Sequence, residues 1–178
     1  MTEARQQFWG KYRARVDDIN DPYKLGRLRL KIPDVLGTHT SGWALPSFPL
    51  ASADVAPGGG VGLFLVPPKD AWVWAEFEHG DPDRPIVVGA IYNGENRHAE
   101  DLPSHRSRSG IRTASLDDVT RYNELVFDDE THREEVFLRA QRNLREQVLS
   151  DHLATVGHDR THTIEHDEQH WMPLPWWT

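Results

Sequence analysis

At 178 residues the chain has room for one domain with an appendage or for two small domains, and 28 acidic against 20 basic residues give a formal charge of −8. That balance excludes a broad nucleic-acid footprint, which needs a basic face, and the absence of cysteine excludes disulfides, thiol catalysis and thiolate metal sites. No apolar run approaches about 18 residues and no signal-peptide core is present, so no spanning helix is expected and synthesis in a cytoplasm is.

Residues 1–10 form a polar lead ending in Phe8-Trp9. Tyr12, Ala14 and Val16 then alternate with Lys11, Arg13 and Arg15 and, after an Asn20-Asp21-Pro22 turn, Leu28, Leu30 and Ile32 alternate with Arg27, Arg29 and Lys31. Period-two alternation of this kind predicts two half-buried antiparallel strands whose cations form a solvated face. Thr40–Leu50 is a short strand broken by Pro46 and Pro49, hence a rim or edge element. Ala51–Gly62 is a flexible loop; its glycines lack the Gly-Lys-Ser/Thr or GxGxxG spacing of a phosphate cradle. Leu63–Val66 reads as a strand and Pro67–Asp70 as a turn. Ala71–Asn93 is a hairpin in which Trp72, Trp74 and Glu76 alternate with Val73, Ala75 and Phe77, and Ile86–Tyr92 returns. Its connector, Glu78–Pro85, is stiffened by Asp81-Pro82 and Arg84-Pro85, with Gly80 placed for a positive φ. Six short strands over residues 11–93 predict a small antiparallel barrel.

Residues 94–118 are polar, basic in the middle and without apolar periodicity, and read as a linker. Residues 119–139 form a second hairpin: Leu125–Phe127 and Val136–Leu138 are its strands and Asp128–Arg133 its turn, which lacks the alternating ligands and glycine of a calcium loop. From Ala140 to Trp171 the chain repeats every eight residues, as AQRNLREQ, VLSDHLAT, VGHDRTHT and IEHDEQHW. Each octad opens with Ala140, Val148, Val156 or Ile164 and carries Asn143, Asp151, Asp159 or Asp167 fourth. One aliphatic row cannot bury a core in one chain, whereas three copies wound together place that row on a common axis, with the Asn/Asp row at the bends. The residues alone leave open an amphipathic helix over 139–156, where Leu144, Val148 and His152 share a face.

Several of these stretches resemble one family. GDPDRPIVVGAIYNG (residues 80–94), the DP turn followed by GRLRLKIP, SGIRT, NELVFDDETHREEVFLRA and above all VGHDRTHT are similar to phage baseplate assembly protein V and the Vgr-type spike proteins of contractile injection machines, over roughly Tyr12 to His170. The resemblance implies an all-β chain: an N-terminal OB-fold barrel, a hairpin and a C-terminal intertwined trimeric β-helix, which disfavours the helix over 139–156. It implies a structural, non-enzymatic homotrimer in an assembled phage tail or injection-system particle. The spike would connect a separate hub protein at the OB end to a tip, transmit the thrust of contraction and meet a target membrane only on firing. The separate hub is expected because only about ten residues precede the barrel, where full Vgr proteins carry a hub domain.

Two C-terminal features bear on sites. His162, His166 and His170 become rings of three around a threefold axis, where a single metal ion is possible, although the paired-histidine motif of the family is absent and solvent-facing repeat positions are the simpler reading. The tail, 172–178, breaks the octad with Pro173 and Pro175, and Trp171, Trp176 and Trp177 make an apolar end suited either to capping the trimer or to docking a PAAR-type tip protein. Two rival readings exist. An OB-fold single-strand nucleic-acid binder would stack bases on Trp72 and Trp74, against the charge of −8. A metallohydrolase would use His166–His170, where the glutamate sits one place too late for HExxH. No catalytic residue and no cofactor are expected.

Overall fold

The computed structural model describes residues 6–52, 60–92, 105–116, 118 and 120–166, so the loop 53–59, most of the expected linker, His170 and Trp171, Trp176 and Trp177 lie outside the described residues. The chain falls into two units, divided after Gln141. In the first, β1 (Tyr12–Asp18), β2 (Leu28–Lys31), β3 (Thr40–Pro46), β6 (Trp72–Phe77) and β7 (Pro85–Ile91) close into a barrel in the order β1-β2-β3-β7-β6. A one-turn helix α1 (Pro33–Leu36) separates β2 from β3. The alternation of the sequence decides what goes inside. Ala14, Val16, Leu28, Leu30, Ile32, Val73, Ala75 and Phe77 fill the core with Ala44 and Val87, while Trp72 and Trp74 stay half-buried on the outer face, where the Arg13 guanidinium lies 5.9 Å from the Trp74 ring centre.

The expected six-stranded antiparallel barrel needs correcting at one seam. Five strands close it, and β3 meets β7 in parallel through Leu45↔Ile86 and Pro46↔Val87. Pro46 has no amide to donate, and the Ser47 N–H supplies the next bond to the Val87 carbonyl at 2.7 Å. Leu63–Val66 is not a strand. The adjoining residues Val61–Gly62 (β5) already pair with Ala51–Ser52 (β4) as a separate ribbon, and Pro67-Pro68 prevents a ladder from continuing. Phe64 instead packs on Phe48, with ring centres 5.3 Å apart, and covers Gly26, where any Cβ would stand 2.7 Å from the ring edge.

Nor is Arg27, expected on the solvated face, left to solvent. Asp21, with its side chain 3% exposed, accepts the amides of Tyr23, Leu25 and Arg27 and the Arg27 guanidinium at 2.7 Å. The Arg27 guanidinium holds the Asp21 carboxyl well below the usual carboxylate range. The Asp-Pro turn therefore organises the β1–β2 connection around one carboxylate, and Arg27 is held between the Tyr23 and Trp43 rings.

The β6–β7 connector takes up a short 3-10 turn, Glu78–Gly80, with positive φ at both His79 (52°) and Gly80 (73°). The Gly80 carbonyl accepts the Phe8 N–H at 2.9 Å, and Phe8 joins Tyr12 and Phe77 in an aromatic cluster with ring centres 5.6–6.2 Å apart. The end of the N-terminal lead is thus docked on the hairpin.

The stretch expected as linker, 94–118, contains a strand. Arg108–Arg112 (β8) pairs antiparallel with Glu124–Asp128 (β9), which pairs with Glu135–Arg139 (β10), so the expected hairpin is two-thirds of a three-stranded sheet. Charge pairing and a close approach make a strand of a segment with a single large apolar residue. Arg108 bonds Asp128 and Arg112 bonds Glu124, each at 2.6 Å, with the carboxylates 10% and 6% exposed. A Cβ on Gly110 would stand 2.5 Å from the Leu125 carbonyl, so the approach needs glycine.

Two outcomes follow. Gly80→Ala is expected to lower the stability of the barrel by about 1–2 kcal/mol, because a Cβ is strained at this φ and would press on Gln7 and Trp9 at 3.0 and 3.1 Å. Urea unfolding followed by tryptophan fluorescence measures it, and an unchanged midpoint refutes the docking of the lead. The second concerns Asp128, whose carboxyl the Arg108 guanidinium, aided by Ser107, holds down to about 2. A folded-state value below the unfolded one of about 3.9 means stability present above that value and lost as pH falls through the folded one. Thermal melts at fixed chain concentration should show a constant deficit for Asp128→Asn from pH 7 to about 4, closing towards pH 2. A deficit unchanged at pH 2 contradicts the ion pair.

Candidate assembly surface

The chain leaves β10 through a lock built on Tyr122. The guanidiniums of Arg112 and Arg139 lie 4.1 and 3.9 Å from its ring centre. Arg139 also donates to the Tyr122 carbonyl (3.3 Å) and to the Gln141 side-chain oxygen (3.0 Å), which itself accepts the Tyr122 N–H at 3.3 Å. The Gln141 N–H donates to the Asn123 side chain at 2.9 Å, so the backbone is fixed up to the last residue of the first unit. Cation–aromatic contacts are each worth roughly 0.5–2 kcal/mol, and the polar bonds add direction. No single residue type flags this lock in the sequence; the NELVF phrase contains only its asparagine.

The two faces of the β8–β10 sheet are opposite in character. One buries Glu124, Val126 and Asp128 beneath the two arginines, with Phe137, 43% exposed, as its open apolar side chain. By register, Ile111, Leu125 and Leu138 line up on the other face beside the Phe127↔Val136 pair. There Ile111 and Phe127 are 44% and 43% exposed, and Val136 and Leu138 are 68% and 60%. Acids inside and aliphatics outside mark a surface that lacks its partner.

Residues 142–166 contain neither helix nor strand, which removes the helix over 139–156. Instead the backbone bends at 141–142, 149–150, 157–158 and 165–166, with a period of eight. Each bend follows directly on Ala140, Val148, Val156 or Ile164, and the Asn/Asp row comes after it rather than in it, contrary to the sequence expectation. Position two of the octads repeats no residue type and position three repeats only as His158 and His166, so the bend has no side-chain signature common to all four. Val148, Val156 and Ile164 are 47%, 50% and 41% exposed, whereas Leu149 and Leu153 are 91% and 89%. The aliphatic row is therefore the less exposed apolar set, yet nothing among the described residues buries it.

His162 and His166 are exposed, and among the described residues no group of three histidine, aspartate or glutamate side chains could hold a metal within one chain. Among the same residues no helix is long and apolar enough to cross a membrane.

Comparison with known proteins divides the chain earlier, ahead of the β8–β10 sheet. Residues 12–92 match the type VI secretion system/phage-baseplate injector OB domain, and residues 109–173 match the bacteriophage T4 gp5 C-terminal trimerisation domain. The first match ends one residue beyond β7, and the second opens inside β8, which assigns that strand to the second domain. Over 109 residues the chain is 38% identical to the type VI secretion system spike protein VgrG5 of Pseudomonas aeruginosa, covering 61% of this chain and 13% of that protein. VgrG1c of the same species is 38% identical over 106 residues, covering 58% and 15%. The actin cross-linking toxin VgrG1 of Vibrio cholerae is 31% identical over 108 residues, covering 61% and 10%. The chain thus spans between 10% and 15% of the length of these relatives. With an injector OB domain over the closed barrel and a gp5-type trimerisation domain over the sheet and the octads, the chain belongs to the spike-protein family of phage baseplates and type VI secretion systems.

Proposed function

We propose that the chain is the central spike of a contractile injection system, a homotrimer whose octads, 140–171, wind around one axis and transmit the thrust of contraction. The observation that carries this reading is the row Val148, Val156 and Ile164, left about half exposed at bends that recur every eight residues. A threefold assembly turns each member of the row into a ring of three apolar side chains. The match to a trimerisation domain over the same residues supports it. A hub at the barrel end and a PAAR-type tip seated on Trp171, Trp176 and Trp177 complete the proposed particle, which meets a membrane only on firing. Trimerisation also triples the charge of −8, which repels phosphate and argues against nucleic acid as a ligand.

Sedimentation at micromolar concentration should give a trimer for the chain and a monomer, with its barrel still folded, for Val156→Asp. Three carboxylates brought together in an apolar layer cost several kcal/mol. A trimer that tolerates Val156→Asp removes this residue from the axis, and a well-folded monomer of the unaltered chain ends the spike reading. Deletion of 173–178 should leave the trimer intact and abolish retention of the tip on assembled particles. A destabilised trimer that still carries its tip would instead make the tryptophans a cap.

A further inference from the structure

The apolar face of the β8–β10 sheet and the leucines of the first two octads are two unpartnered surfaces that need each other. We propose that the face formed by Ile111, Leu125, Phe127, Val136 and Leu138 is covered by the segment Leu144–Leu153 of a second copy of this chain. The inference rests on the trimeric reading and specifies a contact that the axial row does not require.

The face asks for an apolar occupant. On the opposite side Arg108 with Asp128 and Arg112 with Glu124 close over the buried Val126 and leave Phe137 43% exposed, whereas on this side Ile111, Phe127, Val136 and Leu138 stand 44%, 43%, 68% and 60% exposed. The octads supply matching side chains in an uneven way. Leu144, Leu149 and Leu153 lie outside the axial row and are 68%, 91% and 89% exposed. In the third octad the corresponding places hold Arg160, Gly157 and Thr161, and in the fourth Glu168, Glu165 and Gln169. A rod exposed evenly to solvent has no reason to confine its surplus leucines to the two octads that follow the sheet. A rod whose first part lies against an apolar sheet does.

A second copy is the occupant for two reasons. Both surfaces remain exposed within one chain. Both belong to the single stretch, 109–173, that matches a trimerisation domain. The face of one copy taking the octads of the next is a heterologous contact, which closes into a ring under threefold rotation.

The chain contains no cysteine, so placed cysteines report directly. The full chain carrying Val136→Cys and Leu153→Cys, treated with a short bis-maleimide, should run as covalent trimers on a denaturing gel, with the linkage mapped between positions 136 and 153 of different chains. Linkage within one chain, shown by a modified monomer, overturns the proposal, and so does linkage of 136 to 136, in which the face meets itself. The control is Ile164→Cys on the axis. If it links between chains while the 136/153 pair does not, the face is covered by something else and this proposal alone falls; if neither links, the trimer reading falls with it. The single variant Val136→Cys gives a second readout. A charged maleimide should label it at least tenfold more slowly in the native protein than in urea, and equal rates overturn the covered face.

Discussion

Each octad offers one aliphatic side chain to a common row, and that shortage governs how the chain must be used. Burying a half-exposed valine or isoleucine yields about 1 kcal/mol, whereas fixing the backbone of eight residues costs on the order of 8–16 kcal/mol. A single chain cannot close that gap, and residues 142–166 accordingly show recurring bends without ladder or core. Repetition about an axis changes the terms: every aliphatic meets two equivalents, and the backbone groups between bends gain neighbours to pair with. The octads are therefore a surface for assembly before they are a fold.

The barrel stands at the other extreme. Ten buried apolar residues form one cluster within it, and its connections are held locally, by the Asp21 carboxylate at one end and the docked Phe8 at another. Between barrel and octads lies a sheet of intermediate kind. Its ion pairs and the stacked Tyr122 make it self-consistent on one side and fix the chain up to Gln141, while its other side is as unfinished as the octads. Self-sufficiency thus falls along the chain, and dependence on other copies rises. That gradient suits the assembly proposed for this chain.

What was legible in the sequence tracks this gradient. Alternation placed β1, β2 and β6, because burial on one face leaves a period of two that few other arrangements produce, and β7 followed as the apolar run returning from the proline-stiffened connector. Leu63–Val66 misled, because a run of apolar residues does not show whether the neighbouring ribbon has already used the available pairing. β8 was hidden because Ser109-Gly110-Ile111 carries no periodicity; its place is set by Arg108 and Arg112 meeting acids 20 and 12 residues away in sequence. The period of the octads was plain, yet the bends lie ahead of the Asn/Asp row, at positions where no residue type is common to all four octads. The unsatisfied sheet face could not be read at all. It depends on which side of β9 the two arginines cover, and that is decided only once β8 is in place.

Hydrogen exchange across the octads tests the central claim most directly, since interwound chains must pair the backbone groups that one chain leaves to solvent. In the assembled protein, amides of 143–164 are expected to exchange as slowly as those of the barrel strands and to lose that protection together when the chains are separated by dilution or mild denaturant. Exchange at unprotected rates in these residues, in a sample whose barrel amides are protected, would contradict the account.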